Sequence, residues 1–254
     1  MVDLALNNPL TRQDLLRARL QAGDPLIAVD LAREFGLSLD TIRRDLLALE
    51  ELGILQRVRG GAVPVRSHST TYKERREEPQ TDCDALVKAA VPLIKEGMTI
   101  MVDGGTTLTH LARHIAPLRN LLVVTPSPTV AAIMLEKDIA TYLIGGQISP
   151  WGGVATGAEA EGAIRNLAAD LAFVGICGLD VDFGLSADDA SEAGVMRAMA
   201  SSASRTILIL AHSKLGQRAR HRVLPIDQLG TIITDASCDS MQPFLSAGAE
   251  IIHV

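Results

Sequence analysis

Aromatic residues are nearly missing from this 254-residue sequence, which has one Trp, two Tyr and four Phe, or 3% in all. Its core must therefore be built from Leu, Ile, Val and Ala. With 47% hydrophobic and 21% charged residues, the chain can bury a sizeable core and is not globally disordered. Cysteine is also sparse: Cys83, Cys177 and Cys238 are scattered, and no Cys-x-x-Cys pair exists. Neither a disulfide framework nor a thiolate zinc site is indicated. No apolar run approaches ~18 residues, and the N-terminus lacks the basic-then-apolar pattern of a signal peptide, so a cytoplasmic protein with no membrane partner is expected. Positive charge is not in surplus either. The net charge of -6 argues against wholesale coating of nucleic acid and leaves room only for a local basic surface. The length suits one large α/β domain, or a small domain plus a medium one.

Against these absences, the stretch Ser38-Leu39-Asp40-Thr41-Ile42-Arg43-Arg44-Asp45-Leu46 is dense in signals. Ser38 can accept a bond from an early helical N–H and so start a helix. Leu39, Ile42, Leu46 and Leu49 fall at three- and four-residue steps on one stripe, which turns Asp40, Arg43 and Arg44 away from it. A helix with an apolar back and a cationic front suits the major groove of DNA. Upstream, a helix is expected after Thr11 carrying Leu15, Leu16 and Leu20, ended by Gly23-Asp24-Pro25. A second follows with Val29, Leu31, Ala32 and Phe35, stopped by Gly36. Two short helices joined at a glycine turn make a helix-turn-helix. Downstream, Ile54 to Val63 alternates apolar and basic residues around Gly60-Gly61. It reads as a hairpin wing whose Arg57 and Arg59 are placed to hold phosphates.

Leu31-Ala32, Phe35, Ser38, Thr41 to Leu46, Leu49, Gly53, Leu55, Arg57 and Gly60-Gly61-Ala62 together resemble the winged helix-turn-helix signature of DeoR-type bacterial transcription regulators. The resemblance implies operator DNA as a partner. The DNA-contacting candidates are Ser38, Asp40, Thr41, Arg43, Arg44, Arg57, Arg59, Gly60 and Gly61. This domain is expected over 1–64.

Residues 65–83, including Tyr72-Lys73-Glu74-Arg75-Arg76-Glu77-Glu78, are polar and of mixed charge and read as a solvated connector with room for a short helix. From Asp84 onward, short apolar runs alternate with amphipathic segments. Strands are expected at Met98–Val102, Leu121–Val124, Thr141–Ile144, Leu171–Ile176, Thr206–Leu210 and Thr231–Thr234, with helices at 106–116, 127–136, 158–168 and 189–202. Several runs are apolar at consecutive positions, as in parallel strands covered on both faces. The fold class expected for 84–254 is thus a doubly wound α/β domain, with ligands outside the carboxyl ends of its strands. Loops there carry Asp103-Gly104-Gly105-Thr106-Thr107, Thr125-Pro126-Ser127, Gly145-Gly146, Gly178-Leu179-Asp180 and Ala211-His212-Ser213-Lys214. A glycine-rich turn opening a helix can cradle an anion, and Lys214 adds a cation. The spacing and lysine of a nucleotide P-loop are missing. Taken alone, Gly145-Gly146 is equally well explained by the sterics of a tight turn.

Asp103 to Thr107, Val124-Thr125, Gly145-Gly146, Gly157, Phe173-Val174-Gly175, Gly178, Gly184-Leu185-Ser186, Arg197 with Met199, and Ser213-Lys214 resemble the effector domain of the same regulators, which is similar in fold to sugar-phosphate isomerases. The resemblance implies a repressor of a sugar or sugar-acid catabolic operon, released by a phosphorylated effector. It also implies an effector site formed by Asp103, Gly104, Gly105, Thr106, Thr107, Thr125, Ser127, Gly145, Gly146, His212 and Lys214. Three positions depart from the family pattern: Pro126 replaces Asn, Ala211 replaces Asp, and Trp151-Gly152-Gly153 is particular to this chain.

His110 and His114 stand four apart, which is metal-ligand spacing. No third ligand is evident and Arg113 lies between them, so no metal is expected, and no cofactor either. Arg218-Ala219-Arg220-His221-Arg222 reads as a solvated or subunit-contact surface. The competing reading is a sugar-phosphate enzyme with an accessory DNA module, in which Asp103, Asp180, Glu192 and Lys214 supply acid, base and electrophile. Sensing without turnover is the simpler use of such a site behind a DNA-reading helix, so no catalytic residue is assigned. Paired operator half-sites call for a homo-oligomer, a dimer or tetramer.

Overall fold

The computed structural model describes residues 8–21, 26–52, 54–58, 60–64, 71–77 and 83–254. The chain divides into two compact units, Met1–His68 and Ser69–Val254.

In the first unit, α1 (Pro9–Gln21) begins two residues earlier than Thr11 suggests. Asn8 Oδ1 accepts the Leu10 N–H at 3.0 Å, and Pro9 occupies the first helical position, where its missing N–H costs nothing. The expected stop at Gly23-Asp24-Pro25 lies outside the described residues. A two-residue strand, β1 (Leu26–Ile27), leads into α2 (Ala28–Phe35), which Gly36 closes in the left-handed conformation. Val29, expected on the apolar face of α2, is half exposed, and Ala28 takes the inward position instead. Then come α3 (Leu39–Glu51), β2 (Leu55–Val58) and β3 (Gly61–Pro64), with the strands ordered β1-β3-β2. The wing is therefore a three-stranded sheet rather than a simple hairpin.

The α3 stripe is as its spacing predicts: Ile42, Leu46 and Leu49 are buried, and Leu39 is partly so. One charged residue joins them. Asp45 is buried and accepts from Arg12 Nε at 2.7 Å and Nη2 at 3.1 Å, a two-pronged pair with both side chains 5% exposed. Such a pair contributes little over an apolar replacement, but removing one partner strands a charge in the core. Arg12→Ala or Asp45→Ala should therefore lower stability by about 3–5 kcal/mol, read as an early transition in urea denaturation, whereas Arg12→Met with Asp45→Leu should recover most of that loss.

The second unit opens with α4 (Tyr72–Glu77) and α5 (Asp84–Ala90). Its main sheet comprises β4 (Thr99–Val102), β5 (Leu122–Thr125), β6 (Ala140–Leu143), β9 (Ala169–Val174), β12 (Ala203–Leu210), β14 (Thr231–Thr234) and β15 (Glu250–His253). All seven are parallel, in the order β15-β14-β12-β9-β4-β5-β6. Between them run α6 (Thr106–His114), α7 (Pro128–Glu136), α8 (Ala158–Arg165), α9 (Ala190–Ser201) and α10 (Cys238–Ser246). Side chains alternate between two cores. Ile100, Val102, Leu171, Phe173, Ile207 and Ile209 pack with α5, α6 and α7, while Met101, Ala172, Val174, Leu208 and Leu210 pack with α8, α9 and α10. This two-sided burial explains the consecutive apolar runs.

Observed bounds stay within three residues of those expected. β15 was not anticipated, nor were the hairpin β7 (Gln147–Ser149) with β8 (Val154–Thr156) and the small sheet of β10 (Gly178–Asp180), β11 (Gly184–Ala187) and β13 (His221–Leu224). These strands are only three or four residues long, so no period could develop.

The strand order reverses once. From β4 the chain proceeds outward through β5 and β6, and from β9 it proceeds the other way through β12, β14 and β15. The crevice between the carboxyl ends of β4 and β9 is the topological switch point, the position where open α/β sheets bind ligands.

Candidate functional site

On α3, Ser38 accepts the Thr41 N–H at 3.2 Å and meets Thr41 Oγ1 at 2.9 Å, so it serves the helix cap. Arg43 and Arg44 are exposed on the opposite side from Ile42 and Leu46, as expected. Arg43 reaches Asp40 at 3.3 Å, an exposed pair that is weak enough for a phosphate or base edge to displace. Arg57 lies within β2, whereas Arg59 falls outside the described residues. Gly61 has a structural reason to be glycine: a Cβ there would stand 1.9 Å from the Leu26 carbonyl oxygen across the β1–β3 pairing. Gly60 holds φ +94 at the wing turn, and its carbonyl accepts the Ala28 N–H.

The second constellation sits at the switch point. Asp103, one residue past β4, accepts the Gly104 N–H on Oδ1 at 2.8 Å and the Gly175 N–H, beyond β9, on Oδ2 at 3.0 Å. Its carboxylate spans the crevice. Burial pushes its pKa up to about 6 despite those two donors, and the nearby Glu192 carboxylate adds to the rise. Glu192, in the first turn of α9, is also shifted up by burial. It accepts from Ser149 Oγ at 2.5 Å and from the Gly152 N–H at 2.6 Å.

Gly104 is roofed by the β7–β8 hairpin: a Cβ there would meet Val154 Cγ1 at 2.2 Å and the Gly152 oxygen at 3.0 Å. Gly105 faces open space at φ +91 and caps α6 without any side-chain bond. The leading N–H groups of a helix have no partner within it. α8 also starts on glycine but carries Glu159 and Glu161 in its first turn, whereas α6 has Thr106 and Thr107 and no acid there. The N-terminus of α6 is thus left electropositive, a seat for an anion. On the far side of β9, Lys214 Nζ donates to the Ile176 carbonyl at 2.9 Å, one residue beyond Gly175.

The other expected effector residues are employed differently. Thr125 Oγ1 donates to Val102 O and accepts the Ser127 N–H, and Ser127 Oγ caps α7 at Val130. Both are fully buried, and Ser127 flanks Gly104. Gly146 packs against the Thr156 carbonyl, in keeping with the steric reading of Gly145-Gly146. His212 is bound by ring and backbone N–H to Asp235, and so points to the end of β14. In the basic cluster, Arg218 pairs with Asp180 and Asp182 and shares the face of Phe183 with Arg222.

The connector forms a short helix over Tyr72–Glu77 with Lys73, Glu74, Arg76 and Glu77 exposed, but Tyr72 and Arg75 are docked rather than solvated. The Tyr72 N–H donates to Pro150 O at 3.0 Å, its hydroxyl lies 3.1 Å from Thr109 Oγ1 on α6, and Arg75 donates to Trp151 O. Helix α4 is strapped onto the hairpin loop that roofs Gly104. Ser149 and this strap were not assigned from sequence; Glu192 was named only under the enzyme reading, and Trp151-Gly152-Gly153 only as a departure from the family pattern.

Residues 12–68 match the family described as DeoR-like helix-turn-helix domain, and residues 81–236 match the DeoR C terminal sensor domain. The chain belongs to the DeoR family. It is 33% identical to the HTH-type transcriptional regulator GlpR of Haloferax volcanii, over 87% of this chain and 89% of that one. It is 30% identical to the glycerol-3-phosphate regulon repressor of Escherichia coli strain K12, over 82% and 83%. It is 29% identical to a putative aga operon transcriptional repressor of Escherichia coli O157:H7, over 96% and 93%. A ribose 5-phosphate isomerase from Methanocaldococcus jannaschii aligns over 54% of this chain and 55% of its own, with 16% identity and a TM-score of 0.40. This DeoR-family protein is a DNA-binding transcription regulator, which sets the enzyme reading aside. Among its described residues no helix is long and apolar enough to cross a membrane.

The raised pKa of Asp103 gives this regulator a definite pH signature. Unfolded, the group titrates near 3.8 and folded near 6, so between those values the folded state binds more protons. Stability should fall as pH rises through that window, by about 3 kcal/mol at most, with the full cost present above it. Asp103→Asn abolishes the titration, so wild type should lose stability relative to the variant between about pH 4 and pH 6.5 in denaturant titrations. Parallel curves would show that Asp103 does not titrate there.

Proposed function

We propose that the protein represses an operon for breakdown of a sugar or sugar acid and is released by a phosphorylated intermediate of that pathway. The observation that carries this reading is the uncapped N-terminus of α6 at the switch point, with Lys214 across the crevice and two carboxylates beside it. Helix N–H groups and a lysine suit a phosphate. Buried carboxylates suit the hydroxyls of a polyol chain, accepting bonds when ionised and able to donate one when protonated. The names of the repressors it resembles agree with this.

Operator binding falls to α3, with Arg43 and Arg44 reading base edges or holding phosphates, Asp40 and Thr41 beside them, and the wing through Arg57, Arg59 and Gly60 tracking the backbone. The working location is the cytoplasm, on DNA. A homodimer or tetramer presents two copies of α3 to paired half-sites. The edge strand β6, which leaves Tyr142 and Leu143 half exposed, supports association through the second unit. Release requires the effector to favour the DNA-free state by its difference in affinity for the two states.

A thermal-shift screen of phosphorylated sugars and sugar acids tests the effector class, because a ligand at 100 times its dissociation constant adds about 2.7 kcal/mol. In gel shifts with DNA from upstream of its own gene, Arg43→Ala or Arg44→Ala should cost about 1–3 kcal/mol if the side chain makes a two-pronged base contact. Wild-type affinity at controlled salt would remove both from the reading role. Lys214→Ala should bind that DNA normally yet resist release by the effector; loss of folding instead would recast Lys214 as structural.

A further inference from the structure

His110 and His114 occupy successive turns of one face of α6, four residues apart. The third ligand that the sequence did not reveal comes from α5. Asp84, its first residue, turns Oδ1 toward both rings, 2.9 Å from His110 Nε2 and 3.7 Å from His114 Nε2. One ligand atom from each residue lies within 4.8 Å of the others. Tetrahedral zinc, with bonds near 2.0–2.1 Å, needs its ligand atoms about 3.3 Å apart, so small side-chain rotations close the set.

Two details favour a cation over a simple polar contact. His114 Nδ1 faces the His110 carbonyl at 3.0 Å, and since a carbonyl only accepts, that nitrogen carries the hydrogen; in the neutral ring Nε2 then holds the lone pair, on the side of Asp84. This is the outer bond that orients metal-binding histidines. Lys88 Nζ takes the other Asp84 oxygen at 2.6 Å, which fixes the carboxylate and leaves Oδ1 to the histidines. Arg113, the neighbour that argued against a metal, is exposed.

We propose that Asp84, His110 and His114 bind a divalent cation of the zinc class, with water completing the coordination. The donor set of two imidazoles and one carboxylate is that of open zinc sites. Binding moves the His110 proton from Nε2 to Nδ1, which frees the Nε2 lone pair for the ion. The ion ties the first residue of α5 to α6, the helix whose N-terminus opens at Gly105. This assignment stands apart from the effector reading and does not require it.

The test is a Co²⁺ titration of the full-length, metal-stripped protein made without a histidine tag, followed by visible absorption and by displacement with Zn²⁺. One equivalent should bind, with a spectrum free of thiolate bands and a Zn²⁺-dependent rise in melting temperature that EDTA reverses. His110→Gln, His114→Ala and Asp84→Asn, each checked for native circular dichroism, should weaken binding at least tenfold. His212→Ala and His221→Ala should not. Absence of saturable binding, or binding that survives His114→Ala in folded protein, overturns the proposal. If all three ligand variants misfold, loss of Co²⁺ binding after blocking the accessible histidines of the metal-stripped wild type with diethyl pyrocarbonate, and its retention when the protein is modified with Zn²⁺ bound and the zinc is then removed, supports it; equal loss in both cases overturns it.

Discussion

The Asp103 carboxylate is the joint on which the second unit's site depends. Two strands that run in opposite topological directions, β4 and β9, leave a crevice that nothing in the sheet ladder closes above Val102 and Phe173. Asp103 closes it with one oxygen on each side, at Gly104 and at Gly175. The neighbouring glycines follow from that bond. A Cβ at Gly175 would come within 3.0 Å of Oδ2, and one at Gly104 would strike the roofing hairpin. What looks like a flexible glycine-rich loop is a tightly packed joint, with only Gly105 left facing open space.

Among the described residues two aspartates are buried, and they are treated in opposite ways. Asp45 is met by the guanidinium of Arg12, so its charge is neutralised inside the winged-helix core. Asp103 meets only N–H groups and another carboxylate, so burial is opposed by hydrogen bonds alone and its proton is held more tightly. The first arrangement fixes the register of α1 against α3 and asks nothing of a ligand. The second keeps a carboxyl poised between charge states where a ligand would change its surroundings. A carboxyl shifted by burial in a crevice is what a ligand-binding site would use.

How much could be read in advance depended on how local each signal was. The cap at Ser38, the stripe through Ile42, Leu46 and Leu49, and the apolar runs of β4, β9, β12 and β14 are contiguous patterns, and the structure reproduces them. Asp45 was invisible because its partner lies 33 residues away and the helical wheel shows only that it borders the stripe. Gly61 suggested a turn, yet its cause is β1, a two-residue strand too short to announce itself. Thr125 and Ser127 had the right chemistry for a ligand but were claimed by the turn they stand in. Asp84 could not be matched to His110 and His114 because their meeting is a fact of helix packing between α5 and α6. For Asp45, Gly61 and Asp84 the missing information was a long-range contact, which residue spacing does not encode.

The scarcity of aromatics gives the strap its significance. With a single Trp and two Tyr in the chain, Trp151 and Tyr72 both fall where α4 crosses the hairpin loop. Gly153 must be glycine there, because a Cβ would stand 2.9 Å from the Tyr72 ring. The loop is thus held from two sides, by Glu192 beneath it at Gly152 and by Tyr72 and Arg75 above it at Pro150 and Trp151. Glu192 lies close enough to Asp103 for their charges to interact, and the other end of the same contact path is the helix that leads back along the chain toward the first unit. A ligand that protonates Glu192 weakens the acceptor that Gly152 donates to, and one that alters the charge of Asp103 acts on Glu192 through their repulsion. The loop cannot adjust without also disturbing its bonds to α4. Within the second unit, Asp103 and the hairpin loop are therefore coupled in two steps, by charge between Asp103 and Glu192 and by hydrogen bonds from Glu192 through Gly152 to the loop that α4 holds.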